Sequence, residues 1–332
     1  MNQNIVRHTI CKPSVKSYLH HAHPLCLLET DERSKDYLVN NFLHIYSKTN
    51  TTSDGRVELL IDFYSYDGPY PRYPYVSTSW LPQDLLSCFG GNIVEQLCCL
   101  METGYVVEVT IDEYYVSQKH AFGKISLPHP NLLYGFDRDR RVFFSQGFDA
   151  NWLFRPIDIP FDEIRAGFGL NMGVLAMKLS GSPEYANAVR FSGALVRTAL
   201  QGYLSGAACY PWHSPEGAEF GRSVYGKAIS TLKSRRPENV DIRPWCVFHE
   251  HKQRLSILYR YLCERGHVTH DDKLATALSE LVKKTLGIRD LVVMSKMASR
   301  SVDSAVLTAR VDAMLVFELD VIAEILGLLA NL

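Results

Sequence analysis

The sequence predicts an α+β protein, with an α/β half over residues 1–165 followed by an α-helical half over residues 166–332. Three observations carry this. Runs rich in β-branched and aromatic residues cluster between 105 and 148, as strands require. Beyond "IPFDEI" (159–164), apolar residues recur at helical spacing almost to the C-terminus. Near the change of character, "SGSPEYAN" (180–187) supplies Gly, Ser and Pro punctuation.

In chain order, "MNQNIVRHTICKPSVKS" lacks the apolar core of a secretory signal. "HHAHPLCLLETDE" (20–32) then leads into a helix expected over about 30–46. Thr30 stands at its cap, with Leu38, Phe42 and Ile45 at helical spacing. "YDGPYPRYPYVSTSW" (66–80) is too dense in Pro and Gly for a helix or a central strand and reads as a loop. Residues 81–104 read as a helix in two pieces, broken at Gly90-Gly91. Strands follow over 105–112, 130–137 and 140–148, the last two joined as a hairpin.

In the second half, Phe248, Leu255, Leu258 and Leu262 form one helical stripe. Val311, Leu315, Leu319, Ile322, Leu326 and Leu329 form another. The most apolar stretch, 313–332, carries Glu318, Asp320 and Glu324, so it reads as an amphipathic helix rather than a membrane span. Stripes this broad also suit self-association, and a homodimer is expected.

A net charge of −1 leaves no electrostatic footprint for nucleic acid or a membrane surface. The eight cysteines follow neither a disulfide framework nor a paired zinc pattern, and read as mostly reduced, buried thiols of a cytoplasmic protein. His21, His23 and Cys26 offer zinc donors, but a structural zinc needs four ligands and no second cluster completes the set. No Gly-rich phosphate loop, HExxH or GxSxG occurs, so neither a cofactor nor a metal is expected. His120 reads as an exposed or interface side chain, and Glu250-His251-Lys252 as the solvated face of a helix.

Thiol chemistry needs a thiolate, an imidazole to move its proton, and a group that orients the imidazole. The chain supplies these in the order Cys26, His129, then Asp149 or Asn151. Glu29, Asp31 and Glu32 crowd the start of the expected helix and oppose a thiolate at Cys26.

A longer signal runs over 105–164. "YVVEVTIDEYY" ends a strand in Asp112, "LPHPNLLYGFD" places His129 before an apolar strand, and "IPFDEI" closes the run. This stretch resembles the N-terminal domain of the butirosin-biosynthesis protein H family, and "YGKAI" (225–229) with "DIRPWCVFHEHKQRL" (241–255) is similar to its C-terminal region. The resemblance implies a papain-like N-terminal domain before a helical one. It implies transfer of an acyl group from a carrier-protein thioester to a small amine through an acyl-cysteine, in natural-product assembly. Cys26 would then be the nucleophile and His129 the general base. Gly147 falls where an acidic residue is expected, and Asp149, two residues on and on the same strand face, can stand in. The expected function is therefore a cysteine-dependent acyltransferase or amide-forming enzyme, with a hydrolase using the same pair as its variant. The alternative is a non-catalytic binding or scaffold protein that docks a carrier protein or a biosynthetic enzyme.

Overall fold

In a computed structural model of the chain, the residues described are 3–51, 57–65, 73–88, 90–169, 172–181, 189–210, 217–330 and 332. The strands in chain order are β1 (Ile5–Arg7), β2 (Ile45–Thr51), β3 (Val57–Phe63), β4 (Val76–Pro82), β5 (Val106–Asp112), β6 (Pro128–Asp137), β7 (Val142–Phe148), β8 (Phe154–Pro160), β9 (Gly173–Leu179) and β10 (Glu219–Phe220). The helices are α1 (Leu19–Leu28), α2 (Lys35–Asn40), α3 (Gln83–Cys88), α4 (Ile93–Glu102), α5 (Phe161–Gly167), α6 (Gly193–Ser205), α7 (Val224–Lys233), α8 (Arg243–Glu264), α9 (Asp272–Met297) and α10 (Ser304–Leu329). A mixed α+β region thus precedes a predominantly helical one, as expected. None of the described helices is long and apolar enough to cross a membrane.

The chain divides into two compact units, and the division differs from a cut at 165/166. The first comprises Met1–Ser34 with Arg72–Ala186, the second Lys35–Pro71 with Asn187–Leu332. A cut at 165 would remove β9, which lies between β4 and β5 in the sheet of the first unit. Of the punctuation read at 180–187, residues 182–187 lie outside the described residues, as do 66–72 of the expected loop. The rest of that loop contains β4.

The first unit is built on an antiparallel sheet of order β4-β9-β5-β6-β7-β8, with β1 added against β6. The three strands expected at 105–148 are β5, β6 and β7, and β6 and β7 form the expected hairpin. One sheet face carries Val107, Val109, Ile111, Leu133 and Val174, packed in one core with Leu97 and Met101 of α4 and Ile164 of α5. The expected break between α3 and α4 falls at Gly90 and Gly91, both at positive φ, and Asn92 caps α4 by accepting from the Val94 and Glu95 amides.

The helix expected over 30–46 is replaced by other structure. Helix starts earlier, at Leu19, and contains Cys26. Thr30 follows its end, where its hydroxyl donates to the Leu27 carbonyl at 2.7 Å. Only Lys35–Asn40 is α-helical beyond it, Phe42 has φ +62°, and Ile45 opens β2. The apolar spacing of Leu38, Phe42 and Ile45 therefore serves burial in three different local conformations.

The second unit combines the sheet β10-β2-β3 with the remaining helices. Phe248, Leu255, Leu258 and Leu262 of α8 are buried as expected. The Glu250-His251-Lys252 run is not a solvated face, since all three residues are buried. Lys252 Nζ is paired with Glu318 of α10, and it donates to the Tyr203 hydroxyl of α6 at 2.8 Å. The Tyr203 hydroxyl lies 3.0 and 2.9 Å from the two Glu318 oxygens. His251 Nε2 lies 2.9 Å from the Leu43 carbonyl. On α10 the buried stripe is turned accordingly: Val311, Ile322 and Leu329 are buried, Glu318 is buried with them, and Leu319 is exposed.

His44 shows how tightly this unit binds its polar groups. Its Nδ1 accepts the Ile45 amide at 2.9 Å, so its Nε2 is the donor to the Ala207 carbonyl, also at 2.9 Å. That is the neutral imidazole, fully satisfied, and burial holds its pKa down at about 4 against an ordinary 6.5. A group depressed in the folded state stabilises above its unfolded pKa, and that contribution is lost as pH falls from 6.5 toward 4. We expect a loss of about 3 kcal/mol across that window. Urea unfolding read by exchange of the β2 amides, for wild type and His44→Gln, checks it; equal pH slopes in the two proteins would refute it.

Candidate functional site

The register between β5 and β6 decides what can meet. Glu108 pairs with Leu132, and Ile111 pairs with His129 without an intervening bulge. Side chains alternate along each strand, so Glu108 and His129 occupy opposite faces of the sheet. Helix α1 lies on the face of Glu108: His23 Nδ1 is 2.6 Å from Glu108 Oε2. His129 shares the face of Ile111, where α4 and α5 pack. Cys26 and His129, expected to face each other, are thereby separated by the sheet.

Cys26 is also in the wrong electrostatic setting for a nucleophile. It is fully buried in the last turn of α1, where the helix presents its carbonyl end. Burial, then Cys11, then Glu29 push its thiol well above the ordinary range. The residue is held as a neutral thiol.

On the other face, Glu113 takes the orienting role that Asp149 was expected to fill. It sits in a 3₁₀ turn (Glu113–Tyr115) directly after β5. Its Oε1 is 3.2 Å from His129 Nδ1 and 3.3 Å from Lys119 Nζ. Burial alone would raise the Glu113 carboxyl, but His129 and Lys119 outweigh it and hold the pKa below the usual range. An ionised carboxylate only accepts, so His129 Nδ1 carries the proton and donates. The imidazole is 40% exposed.

Lys119 is the unexpected member. Its side chain is 5% exposed, and burial lowers its pKa against the opposing pull of Glu113 and Asp149. The space for its ammonium comes from Gly147, where a Cβ would lie 3.4 Å from Nζ. The missing acid at 147 is thus a place kept free for a buried cation.

Asp149 builds a turn. Its Oδ1 accepts the Asn151 and Leu153 amides at 2.8 and 2.9 Å, and Oδ2 pairs with Arg155 at 2.5 Å. Burial would raise its carboxyl, but these amides and Arg155 hold it low. The turn sets Trp152 at φ +61°, a left-handed conformation that costs a bulky residue on the order of 1 kcal/mol, and leaves it 59% exposed. Asn151 contributes its backbone to the same turn.

His120, expected to be exposed, is exposed, and its ring lies 4.8 Å from that of Trp152. The loop that carries His120 also exposes Tyr114, Tyr115, Phe122 and Ile125, and the turn that carries Trp152 exposes Leu153. The loop bearing most of them is pinned internally, with the Gly123 amide on the Tyr114 carbonyl and the Glu113 amide on the Leu127 carbonyl, both at 3.0 Å. This aromatic ridge also carries the exposed Lys124, while the partly exposed Arg155 is engaged by Asp149. Its carboxylates point inward: Asp112 accepts from Ser126 Oγ and the Tyr114 and Leu127 amides at 2.6 to 3.0 Å.

The chain matches no family model, and none of the curated proteins matches it.

Sequence reasoning passed over Glu113 and Lys119. A signal existed, since "DEYY" follows a strand directly and puts Glu113 near the partner strand's His129. Lys119 carried none, because a lysine beside a histidine reads as solvated.

Two outcomes are expected. Cys26 should resist iodoacetamide at pH 8 in the folded, reduced protein while the exposed Cys88 and Cys99 react; peptide mapping reads this, and rapid Cys26 labelling would contradict its burial. Lys119→Met leaves Glu113 buried beside one imidazole and should cost about 3 kcal/mol in denaturant unfolding, with partial recovery in Lys119→Met/Glu113→Gln.

Proposed function

We propose that this chain is a non-catalytic binding protein that docks an acidic carrier protein through the aromatic ridge of its first unit. The single observation that carries the reading is the ridge itself: exposed aromatic and aliphatic side chains on a pinned loop and on an Asp149-built turn, the two joined where the His120 and Trp152 rings meet. Patches of this kind on soluble proteins mark interaction sites, and exposed Trp and Tyr are the residues that anchor them. Charge selects the partner. Asp112 and Asp149 are engaged internally, the latter by Arg155, while Lys124 is exposed, which complements an acidic surface. Carrier proteins are the partners implied by the resemblance of residues 105–164, and the papain-like ancestry it implies accounts for a cysteine retained in α1.

The thiol-transfer reading needs Cys26 as a thiolate beside an imidazole. A buried thiol at a helix carbonyl end, across a sheet from His129, weighs against it.

Calorimetric titration with a panel of acidic carrier proteins, with and without the phosphopantetheine arm, tests the proposal. Trp152→Ala and Tyr115→Ala should each weaken binding at least about tenfold, the usual loss at an interface anchor. Added salt should weaken it further, and Cys26→Ala should leave it unchanged. An acyl adduct on wild-type Cys26 after incubation with acyl-pantetheine thioesters, seen by intact mass, would overturn the non-catalytic reading. Unaltered affinity in both ridge variants would overturn the choice of surface.

A further inference from the structure

The segment after β1 returns to the end of α1 through a second cysteine. The Cys11 amide donates to the Cys26 carbonyl at 2.8 Å, and the Cys11 thiol lies 3.7 Å from the Leu25 carbonyl. A direct backbone hydrogen bond of this kind sets two α-carbons roughly 5–6 Å apart, the separation that disulfides favour. Cys11 is half-buried and therefore reachable, whereas Cys26 is enclosed. Glu29 stands beside both, fixed by the Ser14 amide, which donates to its two oxygens at 3.1 and 3.0 Å.

The surroundings restrict what two sulfurs can do here. A metal clamp or a standing catalytic nucleophile requires a populated thiolate, and thiolates would sit next to a carboxylate and the carbonyl end of α1; a slow oxidation needs thiolate only in passing. Burial first, and Glu29 after it, push Cys11 up to about 12. A disulfide carries no charge, so neither Glu29 nor the helix opposes the finished bond.

We propose that Cys11 and Cys26 are a reversible disulfide pair that staples the segment following β1 to the C-terminal turn of α1. With a peroxide as oxidant the step balances. The Cys11 sulfur attacks one peroxide oxygen, the O–O bond breaks, and the products are a Cys11 sulfenic acid and water. The Cys26 sulfur then attacks the Cys11 sulfur, the S–O bond breaks, and the leaving hydroxide departs as water with the Cys26 proton. Two thiols are oxidised by two electrons in all, and one peroxide is reduced to two waters. A dithiol reverses the bond by exchange.

The test uses the full chain carrying Cys88→Ser and Cys99→Ser, which removes two exposed thiols. After hydrogen peroxide treatment, free thiols are blocked with N-ethylmaleimide in denaturant and the protein is mapped. We expect an intact-mass loss of about 2 Da before blocking and, after it, a peptide linking Cys11 to Cys26, both reversed by dithiothreitol. Because thiolate attacks, the rate should climb about tenfold per pH unit between 7 and 9 without levelling. The oxidised form should melt about 5 °C higher, and Cys11→Ser should abolish the linked peptide. Recovery of both cysteines as maleimide adducts, or of Cys11 as sulfinic acid with Cys26 still free, would overturn the pair. If the doubly substituted chain fails to fold, the same mapping on wild type reads the Cys11–Cys26 peptide directly.

Discussion

The antiparallel ladder between β5 and β6 is the constraint on which the first unit rests. Its register pairs Glu108 with Leu132 and Ile111 with His129, and alternation then sends every side chain to a determined face. One face receives α1, held by the His23–Glu108 contact, and the other receives α4 and α5. A slip of one residue would exchange the two sets and bring His129 under α1. Leu133 and Phe136 of β6 forbid that slip, because it would take them out of the core they share with Val107, Val109 and Ile111.

Each unit also buries a lysine, and each solves the problem in the same way. Lys119 is surrounded by Glu113 and Asp149, with a glycine leaving room for its ammonium. Lys252 is met by Glu318, Tyr203 and His251. Desolvation penalises an isolated buried charge by several kcal/mol, so each ammonium requires an anion at close range. The consequence reaches beyond the pair itself. Glu318 turns α10 so that a leucine faces water, and Glu113 fixes which nitrogen of His129 bears a proton.

Much of the fold was legible in the sequence. The strand run from 105 to 148, the break at Gly90-Gly91 and the α8 stripe follow from local chemistry: β-branched content, glycine and a helical period. What was not legible depended on partners distant in sequence. Helix α1 was missed because it carries Pro24 and three histidines, which argue for a loop, while its burial comes from the sheet. Lys252 read as solvated because Glu318 lies far along the chain. The candidate site divided in the same way. His129 and Asp149 were recognised as positions of consequence, but their partners, Glu113 for one and the 151–153 amides for the other, were set by turns that no periodicity reveals. Cys26 and His129 occur in a suggestive order, and order says nothing about sheet faces.

The position of β9 bears on how such a chain emerges from a ribosome. It enters the sheet between β4 and β5, joining Val76 to Leu179 on one side and Val109 to Val174 on the other. Until residue 179 has been synthesised, β4 has no neighbour and the exposed flank of β5 remains open. Residues 35–71, meanwhile, wait for a unit whose remainder begins at Asn187. Neither unit can close early, and the nascent chain carries an open apolar strand edge from the completion of β5 at Asp112 until β9 is finished at Leu179, which is the state that chaperones recognise.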